Sequence, residues 1–473
     1  MLTSRTFTPD DQLKFAALTG DFNPIHMDPL AARRTQAGAP VVHGIHSLLW
    51  LLDSLAARNP DLPAIGAMKV RFARMIYVGD QVKAVITHRD ASELRAEVTV
   101  HGIAAVQLRV TFGPVSSVPV FALPDAVLVP RPAVPLDRPL GEMAGRSGTL
   151  AFAGNPEDME RMFPHAAHLL GARRLAALGC STLLVGMVIP GLHSLYAGLT
   201  ITVCEDSDTA ENIVFRVTSA DPRFRMVRLD IYGGGLSGSL EAFARHPPVA
   251  QATLETVVSL VARDEFAGST ALIVGGSRGL GELTAKVIAA GGGNVIVTYA
   301  VGKVEAEALA TDITAWGGRC EAIPYDVRQD ADEQLSVIIE APSHIYYFAT
   351  PPIFQVKSRL FSQARFEEFN EFYVYGFHRL IEASLRRRPG GVGVFYPSSV
   401  SVEKRPVGMT EYTMSKAAGE ILCADINAQM PKVRITVSRL PRVLTDQTAA
   451  LQQPVTADPL AVMLPLIRDV SLS

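Results

Sequence analysis

Three units are predicted from the sequence, two of α+β type and one of α/β type. The first two are each a sheet laid around one long apolar helix; the third is a doubly wound parallel sheet. Three observations carry this. The chain has 473 residues, beyond what one hydrophobic core organises. One order of elements, a long apolar helix and then alternating strands, occurs twice before residue 250. A glycine-rich turn joins a buried strand to a helix at residues 275–281.

Composition sets the class. Apolar residues make up 48% and charged residues 19%, an ordinary globular balance. A formal net charge of −3 gives no basic face for nucleic acid, and the one basic run, Arg386 to Arg388, reads as a solvated helix end. Four cysteines (Cys180, Cys204, Cys320, Cys423) stand far apart without a C-x-x-C pair, which suggests neither zinc nor disulfides and fits a reducing cytoplasm. The N-terminus lacks a basic stretch followed by an apolar core, so no signal peptide is expected. The longest apolar stretch, from Ser181, holds Pro190 and His193; it reads as helix end, loop and strand, and no membrane span is expected.

Two linkers divide the chain. Residues 113–139 are proline-rich, and proline fixes φ and removes an amide donor, so regular structure should not run through them. The second, residues 245–270, opens on Pro247-Pro248 and passes through a helical pattern and a Gly-Ser break to a strand at Ala271. Domains are expected at 1–120, 135–250 and 265–473. In the first, the helix is residues 44–57; in the second it is residues 166–179.

Within the first unit, "LTGDFNPIHMD" places Asp21, Asn23 and His26 on one short turn. This motif, with "VVHG" ahead of the helix and "VRFARMIYVGD" after it, resembles that of the MaoC-like, (R)-specific enoyl-thioester hydratases across roughly residues 8–115. The resemblance implies a hotdog fold, in which a sheet wraps a central helix. Two such units side by side would form a double hotdog whose halves cover each other's sheet edges. Adding water to a conjugated double bond needs a group to take a proton, a group to hold the water, and donors for the developing enolate oxygen. By the resemblance, Asp21 and His26 form the acid/base pair, Asn23 orients water or substrate, and the helix N-terminus at Gly44 offers its N–H to the thioester oxygen. His43 and His46 read as residues of the helix start. In the second unit, "FAGNPEDMERMFPHAAHLLG" keeps no such spacing; His165 reads as a satisfied histidine, and this half as a non-catalytic wall of an acyl tunnel.

The third unit runs from strand Ala271–Val274 into Gly275-x-x-x-Gly279-x-Gly281 and a helix, then "NVIVTY" and "AIPYDV", in Rossmann order. No acid follows the second strand, where Thr298, Tyr299 and Ala300 stand, and Arg278 could meet a 2′-phosphate, so NADP is favoured over NAD. Late in the chain, Ser399 precedes Tyr412 by thirteen residues and Lys416 follows it by four. With the glycine turn, this resembles the short-chain dehydrogenase/reductase family over residues 268–450. The resemblance implies NADP(H) held by Gly275, Ser277, Arg278, Gly279, Leu280, Gly281, Tyr299, Asp326 and Val327, together with Tyr412 and Lys416. It also implies that Tyr412 protonates a carbonyl oxygen steadied by Ser399, with Lys416 lowering the phenol pKa and binding the nicotinamide ribose. No metal is implied. The chain departs from the family at "YYFATPP" in place of Asn-Ala-Gly, at Tyr373 in place of the relay asparagine, at Pro441-Arg442 in place of Pro-Gly, and in stopping at Ser473 before a final strand. These departures bear on the proton relay more than on cofactor binding.

Together the readings give a bifunctional enzyme: a 3-hydroxyacyl thioester dehydratase/2-enoyl thioester hydratase and an NADP-dependent 3-oxoacyl thioester reductase, consecutive chemistries on one acyl group. Its partner is an acyl thioester of coenzyme A or acyl carrier protein, and a homodimer through the reductase unit is a further expectation. Two alternatives stand beside it: an active hydratase with an inactive NADP-binding unit, and a non-catalytic acyl-carrier platform.

Overall fold

The structure is a computed structural model, and it describes residues 2–117, 127–205, 210–353, 361–449 and 455–471. Part of the first proline-rich linker, residues 118–126, and the end at Ser473 lie outside the described residues. The chain divides into two compact units, one ending at Pro247 and the other beginning at Pro248.

The first unit is built on one ten-stranded antiparallel sheet. Its first half contributes β1 (Thr3–Thr6), β2 (Ile65–Phe72), β3 (Gln81–Arg89), β4 (Glu93–Val100) and β5 (Ile103–Phe112). The second contributes β6 (Ser147–Ala151), β7 (Ser194–Val203), β8 (Asn212–Asp221), β9 (Met226–Gly233) and β10 (Leu236–Ala244). The spatial order β1-β3-β4-β5-β2 of the first half recurs in the second as β6-β8-β9-β10-β7. The halves join where β2 pairs with β7, from Ala67 opposite Thr202 to Arg71 opposite Gly198, so each half fills an edge the other would leave unpaired. Inside the first half runs the helix Gly44–Arg58, whose Ile45, Leu48, Leu49, Leu51, Leu52 and Leu55 are buried. A helix apolar on nearly every face is stable only when surrounded, and the sheet surrounds it.

The second half departs from the expected single helix at 166–179. Gly171, at φ 91°, breaks it into Pro164–Leu170 and Ala172–Leu183, which turn through 106°, and the latter continues as a wider turn to Val188. Asp53, on the first half's helix, caps the break's N-terminal piece: its carboxylate accepts the backbone N–H groups of His165 and Ala166 at 2.8 and 3.0 Å. Among the described residues no single helix is long and apolar enough to cross a membrane.

The second unit is a six-stranded parallel sheet of β11 (Thr270–Val274), β12 (Asn294–Tyr299), β13 (Arg319–Pro324), β14 (His344–Tyr347), β15 (Val392–Ser399) and β16 (Val433–Leu440), in the order β13-β12-β11-β14-β15-β16. This is the doubly wound order with its switch point between β11 and β14. Alternate residues of β11 enter separate cores: Ala271 and Ile273 pack with helices Gly279–Ala290 and Pro459–Ser471, Leu272 and Val274 with Gly376–Arg387. The unit starts ahead of the expected residue 265, because the helix Leu254–Val258 buries Leu254 and Val257 in the first of these cores.

Candidate active site

The motif turn of the first unit is made by two helix ends. Thr8 and Asp11 form a capping box that starts the helix Pro9–Thr19, and Gly20, at φ 77°, ends it in the left-handed region. Asn23 then caps the short helix Pro24–Met27, its Oδ1 accepting Ile25 N–H at 3.1 Å. Asp21 falls between them, fully buried.

Thr182, from the second half, donates its hydroxyl to Asp21 Oδ2 at 2.7 Å, and Asn23 N–H reaches Oδ1 at 3.2 Å. Gly186 packs so closely that a Cβ there would lie 2.2 Å from the Asp21 carboxylate. Burial raises the Asp21 pKa; His26 and these donors act against it. His26 Nδ1 donates to the Val41 carbonyl at 2.7 Å, which leaves Nε2 with its lone pair for the cleft. Burial, with neighbouring His43 adding to it, lowers the His26 pKa to about 3, so the ring is a neutral base at physiological pH.

The cleft, of about 270 Å³, is lined by Asp21 and His26, by Gly44 at the start of the central helix, and by apolar Phe72, Ile76, Val106, Val185 and Phe243. Gly44 occupies the first helical position, where an N–H has no intrahelical acceptor. Asn23 is not on this surface. Its amide donates to the carbonyl oxygens of Gly186 and Gly191 at 2.7 and 3.1 Å, so it ties the turn to the second half and does not orient water or substrate, contrary to the sequence expectation.

Sequence reasoning passed over three contributors. His43 stacks on His26 with ring centroids 3.8 Å apart, and its Nδ1 and Nε2 lie 2.9 Å from Gln12 Oε1 and from the Asp21 carbonyl oxygen. Ligand atoms of Asp21, His26 and His43 lie within 4.8 Å of one another, yet both His43 nitrogens face carbonyl oxygens, so this donor set does not suit a metal ion. Thr182 and Gln12 are the others. Thr182 is separated from the motif by most of the first unit and leaves no local spacing to read.

In the second unit the glycine turn is tied to the end of β12: Gly275 N–H donates to Thr298 Oγ1 at 3.1 Å and Gly276 N–H to Thr298 O at 3.0 Å. A Cβ at Gly281 would lie 2.4 Å from Gly275 O, so only glycine lets the helix Gly279–Ala290 start this close to the turn. Ser277 is buried, Leu280 packs on the core, and Tyr299 ends β12 half-buried. Two expected contacts are otherwise engaged. Asp326 is paired with Arg328, at 2.7 Å to Nη2, and the Val327 carbonyl accepts Arg379 Nη2 at 2.7 Å. Arg278 lies 3.2 Å from Asp446, a residue beyond β16.

Tyr412 and Lys416 lie on the helix Thr410–Gln429, and Ser399 ends β15. Burial raises the phenol pKa, and Ser399 acts against this. Lys416 donates to the Pro397 carbonyl at 2.7 Å and sits 3.8 Å from the centre of the Tyr373 ring; burial lowers its pKa to about 7. Tyr373 therefore covers the ammonium with its ring face, and its hydroxyl bonds Thr350.

Comparison with known proteins agrees with this division. Residues 2–108 match the MaoC like domain family and residues 269–456 the short chain dehydrogenase family. The chain is 36% identical over 87 residues to the (R)-specific enoyl-CoA hydratase of Aeromonas caviae, covering 18% of this chain and 63% of that protein. It is 36% identical over 76 residues to the peroxisomal hydratase-dehydrogenase-epimerase of Saccharomyces cerevisiae, covering 16% and 8%. The match to NADPH-dependent aldehyde reductase 2, chloroplastic, of Arabidopsis thaliana is 26% over 201 residues, covering 37% and 71%. The chain thus spans less than two thirds of the length of the two hydratase relatives. The turn at Asp21 and the glycine cradle at Gly275 stand inside the matched segments, and the chain carries a MaoC-like domain at its N-terminus and a short-chain dehydrogenase domain at its C-terminus.

Proposed function

We propose that the first unit, two hotdog halves in one sheet, interconverts 2-enoyl and (R)-3-hydroxyacyl thioesters of coenzyme A or acyl carrier protein. One observation carries this reading: a carboxylate and a neutral imidazole face one apolar cleft headed by the first N–H groups of a buried helix. In hydration, a water held between Asp21 and His26 gives a proton to His26 Nε2 as its oxygen bonds to C3 of the thioester. The π electrons move onto the thioester oxygen, where the Gly44 N–H meets the charge; as they return to form the C2–H bond, C2 takes the proton from His26 Nε2 and the neutral imidazole is restored. Dehydration runs the same steps backward. The second half positions Asp21 through Thr182 and closes the cleft with Val185, Tyr196 and Phe243.

The second unit is read as an NADP(H)-dependent reductase of 3-oxoacyl thioesters. Its glycine cradle fits a dinucleotide pyrophosphate, since the turn admits no side chain at Gly281, and the end of β12 offers no carboxylate for a ribose 2′-hydroxyl. When bound, the nicotinamide supplies hydride. Gly275 to Gly281 hold the pyrophosphate, Ser399 steadies the substrate oxygen and Tyr412 gives it a proton. Tyr373 over Lys416 supports a second reading, a unit that binds nucleotide and turns over slowly or not at all. The four single cysteines support a reducing, cytoplasmic setting.

The test uses crotonyl thioester for one unit and an acetoacetyl thioester with NADPH for the other. His26→Ala is expected to lower hydration by about 10²–10⁴ and leave NADPH oxidation intact, and Tyr412→Phe to do the reverse. Hydration that survives His26→Ala refutes the first assignment. Absence of NADPH oxidation in the unmodified protein selects the second reading of the C-terminal unit.

A further inference from the structure

The arginine of the glycine turn already has an anionic partner. Arg278 precedes the helix Gly279–Ala290 in extended backbone, and its Nη1 lies 3.2 Å from Asp446 Oδ2. Both side chains are largely shielded from water, at 18% and 7% exposure, so the pair is screened less than a surface contact. The other Asp446 oxygen accepts Val249 N–H at 2.7 Å, which anchors the carboxylate from the first residues of the unit. Asp446 follows β16, and in the sheet β16 and β12 stand on opposite sides of β11. In a dinucleotide fold the adenosine ribose lies at the end of the strand that β12 represents. Arg278 is therefore already engaged by a carboxylate from the segment after β16, while no charged residue stands at Thr298 to Ala300.

We propose that Asp446 sets the nucleotide preference of the second unit by competing with a ribose 2′-phosphate for Arg278. This rests on the reading of that unit as dinucleotide-binding. A 2′-phosphate gains Arg278 only by breaking an existing charge-assisted bond, so the protein's discrimination between NADPH and NADH is weaker than the glycine-turn arginine would provide if it were free. Asp446 is a specificity-determining residue although it need not touch the nucleotide.

Asp446→Asn removes the charge, keeps the size, and keeps an oxygen to accept Val249 N–H. Binding of NADPH and of NADH is measured separately by calorimetry on the full chain, in the unmodified protein and in Asp446→Asn, Arg278→Ala and the double variant. Asp446→Asn is expected to tighten NADPH roughly tenfold or more and to leave NADH within about twofold. The double variant should lose that gain, and Arg278→Ala alone should change the NADPH to NADH ratio by less than about twofold. The gain should shrink as salt is raised. Unchanged NADPH affinity in Asp446→Asn, or a preference erased by Arg278→Ala alone, overturns the proposal with the dinucleotide reading intact. If neither nucleotide binds any variant, that reading falls and the proposal with it.

Discussion

His26 illustrates how one carbonyl decides a side chain's chemistry. Val41 fixes the proton on Nδ1, the cleft receives Nε2, and burial keeps the ring deprotonated far below the usual histidine range. In the proposed reaction the deprotonated form takes the proton, and lowering the pKa to about 3 preserves that form as pH falls. kcat/KM for hydration should therefore stay level from pH 8 down to about pH 5, with no inflection near the ordinary histidine value of about 6.5. A fall centred there would show His26 titrating as a solvated imidazole. Asp21, His26 and the Gly44 end were legible because they share a short stretch and their chemistry requires proximity. Asn23 was misread for the same reason: its spacing suggested the cleft, whereas its amide bonds carbonyls at Gly186 and Gly191 that no local pattern reveals.

Among the elements, the second half's helix and its wider turn at Leu184–Val188 matter most, because they place Thr182 and Gly186 against the Asp21 carboxylate. Gly186→Ala should displace Asp21, whose oxygens are already held by Thr182 and Asn23, and lower kcat for hydration by about 10², the usual cost of an ångström-scale misplacement. Wild-type kcat in this variant would show that the carboxylate can move at no cost. On the central helix, His46 is buried with neither ring nitrogen hydrogen-bonded, stacked on Phe15 at 4.4 Å. His46→Leu removes that unsatisfied donor and should raise the melting temperature of the first unit by ~2–4 °C, about 1 kcal/mol; a decrease would mean that stacking outweighs the unpaired nitrogen. Element order was readable from hydrophobic period in both units. The break at Gly171 was not, since its apolar pattern continues on either side and only the left-handed glycine separates the pieces.

At the scale of the whole chain, the two units have separate cores, one around the helix Gly44–Arg58 and two flanking β11. Two unfolding transitions are expected in calorimetry, and NADPH at 100 times its Kd should raise one of them by roughly 5–10 °C and leave the other in place. A single transition shifted as a whole would show that the units unfold together. The seam between β2 and β7 has a consequence for activity at low concentration. An active cleft shared between separate subunits dissolves when the subunits part on dilution. Here both walls of the cleft belong to one covalent chain, so the closing of one wall on the other is a first-order event. Specific hydration activity should be independent of protein concentration down to the limit of detection, and an expression level too low to support a dimer would still support catalysis.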